Sequence, residues 1–195
     1  DRVQCSLHDL RQVVEREPDA MVGQAVLREI VGADALAAIT GADLALLDLE
    51  RRDSPDYDAD FPQVALDFKA AIAASDAVLF VTPEYNRSIP GGLKNAIDWA
   101  TRPSGTNSFA RKPSAVIGTS PGAIGTAIAQ QSLRGVLGFC NSPQMTSPEA
   151  YIQFKPGLIT DEGEVTVPGT EDFLRKYMAE FHAFIGRVLT VLPRT

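Results

Sequence analysis

The stretch that decides the reading is Ala77-Val78-Leu79-Phe80-Val81-Thr82, then Pro83-Glu84-Tyr85-Asn86-Arg87-Ser88-Ile89-Pro90-Gly91-Gly92, then Leu93-Lys94-Asn95-Ala96-Ile97-Asp98-Trp99. Its first part is a continuous apolar run with β-branched and aromatic residues. Such a run suits a strand buried on both faces of a parallel sheet. Its last part sets Leu93, Ala96, Ile97 and Ala100 on one side at helical spacing. Between them lies a loop with proline at each end, one aromatic ring and several polar side chains. In an open α/β sheet, ligands bind beyond the carboxyl ends of the strands. A flat aromatic ligand suits this loop, with Tyr85 as its wall and Asn86 and backbone amides as its hydrogen-bond partners. The plainer alternative is a ligand-free connection, but a bare connection needs no loop of this composition.

Downstream, residues 101–107 form a loop by composition. Residues 114–119 read as the next buried strand. Ser120-Pro121-Gly122-Ala123-Ile124-Gly125 follows it, a second loop whose small residues let backbone approach a ring edge. A helix then carries Ile128, Leu133, Val136 and Leu137. Residues 143–147 read as a further strand, polar enough to lie at an edge. Residues 161–164 form a turn. The last helix starts near Thr170, a good cap, with Phe173, Tyr177, Phe181, Phe184 and Val188 on its apolar side. Upstream, Val64, Phe68 and Ile72 mark the buried side of a helix with Pro62 in its first turn. Residues 44–49 read as a second strand, residues 10–14 as a short first one, and residues 24–38 as the helix between them. The polar loop 54–62 contains Asp58 and Asp60, which read as solvated rather than as metal ligands. The alternation predicts an α/β fold in one domain over 1–195: a doubly wound, five-stranded parallel sheet in the order 2-1-3-4-5.

Composition narrows the functions further. The chain has 195 residues, of which 45% are hydrophobic, enough to build a sizeable core. A formal net charge of -7 without a basic cluster argues against nucleic acid as a partner. No apolar run approaches the ~20 residues that span a bilayer, and Asp1-Arg2-Val3-Gln4 shows no signal-peptide pattern. Cys5 and Cys140 are too few for a disulfide framework or a zinc site. They read as ordinary thiols and suit a reducing cytoplasm. His182 reads as structural. Trp99 reads as a core or interface aromatic.

Pro83-Glu84-Tyr85-Asn86 followed by Ile89-Pro90-Gly91-Gly92-Leu93-Lys94-Asn95-Ala96-Ile97-Asp98-Trp99 closely resembles the NAD(P)H-dependent FMN reductase family, which includes bacterial chromate, quinone and azo-dye reductases. The resemblance covers about residues 43–192. It implies a flavodoxin-like fold, FMN as cofactor, and NADPH or NADH as hydride donor. It places the flavin ring on Pro83, Glu84, Tyr85 and Asn86, with its pyrimidine edge at Ser120 and Gly122. It also implies a homodimer or homotetramer, with the aromatic last helix and the segment containing Glu149 and Tyr151 as candidate contacts. The family's phosphate-holding segment is not found in the first forty residues. Cys5-Ser6-Leu7-His8 echoes it too early in the chain, and Asp19, near the expected position, would repel a phosphate. Divergence, a different phosphate site or an altered stretch of sequence would each account for that.

No convincing nucleophile–base pair accompanies these loops, since Ser88 and Ser120 have no nearby histidine and Glu84 stands alone. The chemistry is therefore expected from the flavin. The expected function is transfer of hydride from nicotinamide to FMN, then to a quinone, chromate, ferric, azo or flavin acceptor. A flavodoxin-type electron carrier and a flavin-free regulatory or scaffold relative are the alternatives. Arg102 reads first as a solvated loop arginine, with attraction of the anionic nicotinamide cofactor near the flavin mouth as the alternative.

Overall fold

The computed structural model describes residues 61–160 and 165–192. The first two strands and first helix expected from sequence, the phosphate-loop candidates, Asp58, Asp60, Cys5 and the turn at 161–164 lie outside them. The described elements are α1 (Gln63–Ala74), β1 (Val78–Val81), α2 (Gly91–Ala100), β2 (Ser114–Ser120), α3 (Ala127–Phe139), β3 (Ala150–Gln153) and α4 (Pro168–Val191). The three strands form a parallel sheet in the order β1-β2-β3. Parallel neighbours need a helical crossover, and α2 and α3 supply the two connections.

Alternation along the strands divides the core into two layers. Val78, Phe80 and Val116 face Ile72 of α1, Ile97 and Ala100 of α2, and Leu133 and Leu137 of α3. Ala77, Leu79, Ala115 and Ile117 face Leu174, Tyr177, Met178 and Phe181 of α4. The apolar side expected for α2 is the buried one. Trp99 is a core residue, meeting Phe61 edge-on at 5.2 Å and lying with buried Ala65.

Several expectations need correction. Val64 and Ile128 are exposed, while their neighbours Ala65 and Ala129 are fully buried. The change is confined to the first turn of each helix, since Ile72, Leu133 and Leu137 are fully buried and Phe68 and Val136 pack against the same core. α4 begins at Pro168 with Val167 as its N-cap, so Thr170 lies inside the first turn. Proline at the first helical position is preset in φ and lacks an N–H that would be unpaired there anyway. The aromatic side of α4 is buried on the sheet of its own chain.

The strand expected at residues 143–147 is a single bridge, Gln144 to Ser114, and the true strand is Ala150–Gln153. Ser114 donates to Pro143 O at 2.8 Å and accepts from Met145 N at 2.8 Å. The chain then leaves the ladder and rejoins where Ala150 meets Ile117. Pro148 has no N–H to give to a ladder. Three steps along β2 thus correspond to six along its partner, and the surplus residues protrude.

The amino end of the sheet is tied by lysines. Lys112 Nζ donates to Ile72 O at 2.7 Å, Ala73 O at 3.3 Å and Ser75 O at 2.5 Å, closing the C-terminus of α1. Lys69 Nζ donates to Ala100 O at 3.0 Å, at the end of α2, and burial lowers its pKa. Cations at helix C-termini complement the carbonyl ends and the macrodipole.

Tyr177 is fully buried and donates its hydroxyl to Val116 O at 2.8 Å, fastening α4 to the central strand. Burial pushes this hydroxyl well above the usual phenol range, against smaller opposing effects of Arg134 and the Val116 bond. The unfolded phenol ionises near ~10. Its contribution is therefore intact below that pH and is lost as pH rises beyond it. Tyr177→Phe should cost about 1 kcal/mol at neutral pH. Urea titrations should also show a smaller alkaline loss of stability in the variant than in the parent above about pH 10.

Candidate active site

Two loops leave the carboxyl ends of neighbouring strands and lie side by side. The ladder carries on beyond β1, with Thr82 N donating to Ile117 O at 3.0 Å. At the next residue of β2 the backbones and side chains crowd together. A Cβ on Gly118 would lie 2.2 Å from Thr82 O and 2.4 Å from Thr126 Oγ1. Glycine is required here because Thr82 leads into the first loop and Thr126 closes the second.

The first loop folds into a tight turn. Tyr85 N donates to Ser88 O at 2.9 Å, and Ser88 N donates back to Tyr85 O at 3.0 Å. Its central residues, Asn86 and Arg87, have φ of 50° and 65°. Positive φ at both central positions is the geometry of a type I′ turn. Asn adopts it readily, whereas Arg does so at a cost. The turn presents Tyr85, Asn86 and Arg87 to solvent, while Ile89 anchors its base in the core.

The second loop is braced on β3. Gly125 has φ +57°, and a Cβ there would come within 2.9 Å of the Ile152 amide nitrogen. Gln153 Nε2 donates to Pro121 O at 3.1 Å. Gly122 N donates to Ser120 Oγ at 3.2 Å, and Gly122 O accepts from Gly125 N at 2.9 Å. The loop tip, Pro121 to Ile124, is exposed.

Glu84 joins the two loops. Its Oε2 accepts from Ile128 N and Ala129 N, both at 3.1 Å, in the first turn of α3. Its Oε1 accepts from Arg87 Nη1 at 3.2 Å. The Glu84 side chain is only 7% exposed against 70% for Arg87. Ser88 Oγ and Ser132 Oγ form a further tie at 3.2 Å.

The structure therefore brings Pro83, Glu84, Tyr85, Asn86, Ser120 and Gly122 together at one end of the sheet. It does not bring Arg102 there. α2 runs back along the sheet, and Arg102 follows its C-terminus. Ser108 N bonds Ala100 O at 3.0 Å and Asn107 Nδ2 bonds Cys140 O at 2.8 Å, so this region packs with the end of α3. Pro113 O and Pro143 O accept from the first residues of β1 and β2 beside it. Arg102 thus lies near the amino ends of the strands, opposite the loops. Cys140 is buried there, and burial pushes its thiol up. His182 is exposed on α4.

Sequence reasoning missed two neighbours. Among the described residues, the amides of Asn86 and Arg87 on one tip and Ala123 and Ile124 on the other donate no hydrogen bond. Space above Gly122 is open, since a Cβ there meets nothing nearer than Ser120 Oγ at 3.6 Å. Unpaired donors beside an aromatic side chain and an open backbone fit the carbonyl-bearing edge of a flat heteroaromatic ring. Ala123 and Ile124 precede a helix start, where unpaired amides are the rule, and that was the available signal.

A family model described as NADPH-dependent FMN reductase matches residues 20–157. The chain belongs to this family. The match starts before residue 43, where the motif resemblance begins, and stops before α4. A 2-hydroxy-1,4-benzoquinone reductase of a Burkholderia species is 50% identical over 132 residues, covering 68% of this chain and 72% of the relative. A quinone reductase of Pseudomonas putida is 42% identical over 158 residues, covering 78% and 84%. Among solved structures, FerB of Paracoccus denitrificans, a flavoenzyme NAD(P)H:(acceptor) oxidoreductase, aligns with a TM-score of 0.80 and 41% identity. The alignment covers 88% of this chain and 92% of FerB. The protein is thus an oxidoreductase with a flavodoxin-like α/β fold, and its cofactors are FMN and NAD(P)H.

Gly118→Ala should force Thr82 and Thr126 apart. We expect a loss of about 1–3 kcal/mol in urea denaturation, the range for overpacking, together with weaker FMN binding because both loop bases shift.

Proposed function

We propose that the chain is an FMN-dependent NAD(P)H:quinone reductase whose flavin ring rests between the two loops. The carrying observation is the pair of adjacent exposed tips, with unpaired amides on both and exposed Tyr85 on the first. Pro83, Tyr85 and Asn86 support the ring, and Ser120, Gly122 and the amides of Ala123 and Ile124 hold its pyrimidine edge. Glu84 lends its backbone, because its carboxylate is engaged by α3. Bound FMN supplies hydride acceptance from NADPH or NADH and its return to a second substrate. The protein's part is to fix the ring and leave one face open. Donor and acceptor then use that face in turn, which gives ping-pong kinetics.

A quinone is the acceptor favoured by the surroundings. Tyr85, Ile124 and Ile128 are exposed apolar residues of the two loops and the helix start beside them. They suit a flat, uncharged ring better than a chromate oxyanion. The printed activities of the relatives from Burkholderia and Pseudomonas putida agree. Ferric chelates, azo compounds and free flavin are the remaining acceptors to compare. Residues 1–195 form one domain with two further strands completing the order 2-1-3-4-5. The protein acts in the cytoplasm as a homodimer or homotetramer. Its contact surface includes the exposed cluster in which Gln131 Nε2 donates to Tyr151 Oη at 2.9 Å and Glu149 Oε1 at 3.2 Å. Burial and the hydrogen-bonded Glu149 carboxylate raise the Tyr151 hydroxyl. Among the described residues, no helix is long and apolar enough to cross a membrane.

The purified protein should be yellow and should bleach anaerobically on addition of NADPH or NADH. Initial rates with benzoquinone should give parallel double-reciprocal lines, and kcat/KM should exceed that for chromate by about tenfold, one 1.4 kcal/mol increment. A colourless protein that takes up no FMN, or one that turns over no quinone, would refute this assignment.

A further inference from the structure

We propose that Glu84 is a positioning residue whose carboxylate assembles the flavin cradle before cofactor arrives. The proposal rests on the flavin site described above and assigns a role to a side chain that cannot itself face the ring. α3 does not cap itself. Thr126 makes no side-chain cap bond, and no acidic residue occupies the first turn. The Thr126 hydroxyl instead accepts from Gln130 Nε2 at 2.8 Å. The helix therefore presents amide donors and a positive end with no charge of its own to meet them. Glu84 fills that need from another loop, bonding the amides of Ile128 and Ala129 with one oxygen.

Its second oxygen takes Arg87. Arg87 stands at φ 65°, a conformation that persists in a non-glycine residue when its surroundings enforce it. One buried carboxylate thus grips both the strained turn and the start of the neighbouring helix. The distance between the Tyr85 tip and the amides of Ala123 and Ile124 follows from that grip. Without it the Ser88–Ser132 contact, which is exposed, ties this turn to α3. A loosened turn would have to be ordered by the cofactor on binding, and preorganisation would be lost from the affinity.

Side-chain length gives the decisive variants. Glu84→Gln keeps the reach and one acceptor oxygen. Glu84→Asp keeps the charge but is one methylene too short to hold both sides. Hydrogen exchange resolved by residue, on the full chain with and without added FMN, reads the grip directly. FMN dissociation constants from fluorescence titration read its consequence. In Glu84→Ala and Glu84→Asp, the amides of Tyr85, Ser88, Ile128 and Ala129 should exchange about tenfold faster, with β1 and β2 protected as before, and the FMN dissociation constant should rise about tenfold. Glu84→Gln can serve only one side, because its amide nitrogen cannot accept from Arg87: the amides of Ile128 and Ala129 should stay within about threefold of the parent, while those of Tyr85 and Ser88 exchange faster and the FMN dissociation constant rises, though less than in Glu84→Ala.

Unchanged exchange at those four amides in Glu84→Asp would overturn the proposal. So would a general loss of protection with FMN affinity unaltered, which marks a merely structural residue. Should Glu84→Ala fail to fold, the Gln and Asp variants decide. Should the parent bind no FMN, the cofactor assignment fails, while the exchange comparison still decides whether Glu84 clamps the two loops.

Discussion

Thr82 and Gly118 meet where the β1–β2 ladder gives way to loops, and the geometry there constrains everything beyond it. The parallel register sets Val81 opposite Ile117, and the Thr82 amide extends the pairing one step further. Because Gly118 has no Cβ, Thr82 O and the Thr126 hydroxyl can occupy the space beside it. Each of those residues begins or ends a loop. Their closeness brings the two loops side by side. A bulkier residue on β2 would leave the strands paired but move the loops apart.

From this junction the structure divides its labour along the sheet. At the amino end, Lys112 and Lys69 receive the carbonyls that finish α1 and α2. At the carboxyl end, Glu84 receives the amides that begin α3. Each charge meets the helix terminus of opposite partial charge. At the two tips of the carboxyl end, the amides of Asn86, Arg87, Ala123 and Ile124 donate no hydrogen bond among the described residues.

The unit from residue 77 to 99 was legible because its signals are local: an apolar run, then prolines, then helical spacing. The second loop was legible only beside the first, since its small residues alone read as a simple glycine turn. What escaped the sequence was non-local. The partner amides of Glu84 lie 44 and 45 positions away, so its carboxylate looked like one more ligand group. Arg102 follows the first loop closely in sequence, yet a helical return carries it to the far end. Val64 and Ile128 satisfied the spacing for burial, but Ala65 and Ala129 satisfied the packing. Helix periodicity locates a face only to within a residue, and the fit against neighbours selects among candidates. Residues 143–147 had a strand's spacing from β2 but keep only the bridge at Gln144, and Pro148 follows directly with no donor to continue a ladder.

That interruption of the edge strand separates two parts of the molecule that could otherwise change only together. Residues 146–149, between the Met145–Ser114 bond and Ala150, stand outside the ladder, so lengthening or exchanging them leaves the register of β2 and β3 untouched. Glu149 and Tyr151 flank the point of re-entry and form part of the surface. This outer face is thereby uncoupled from the interior pairing, so its residues can be exchanged without shifting the strands that carry the two loops.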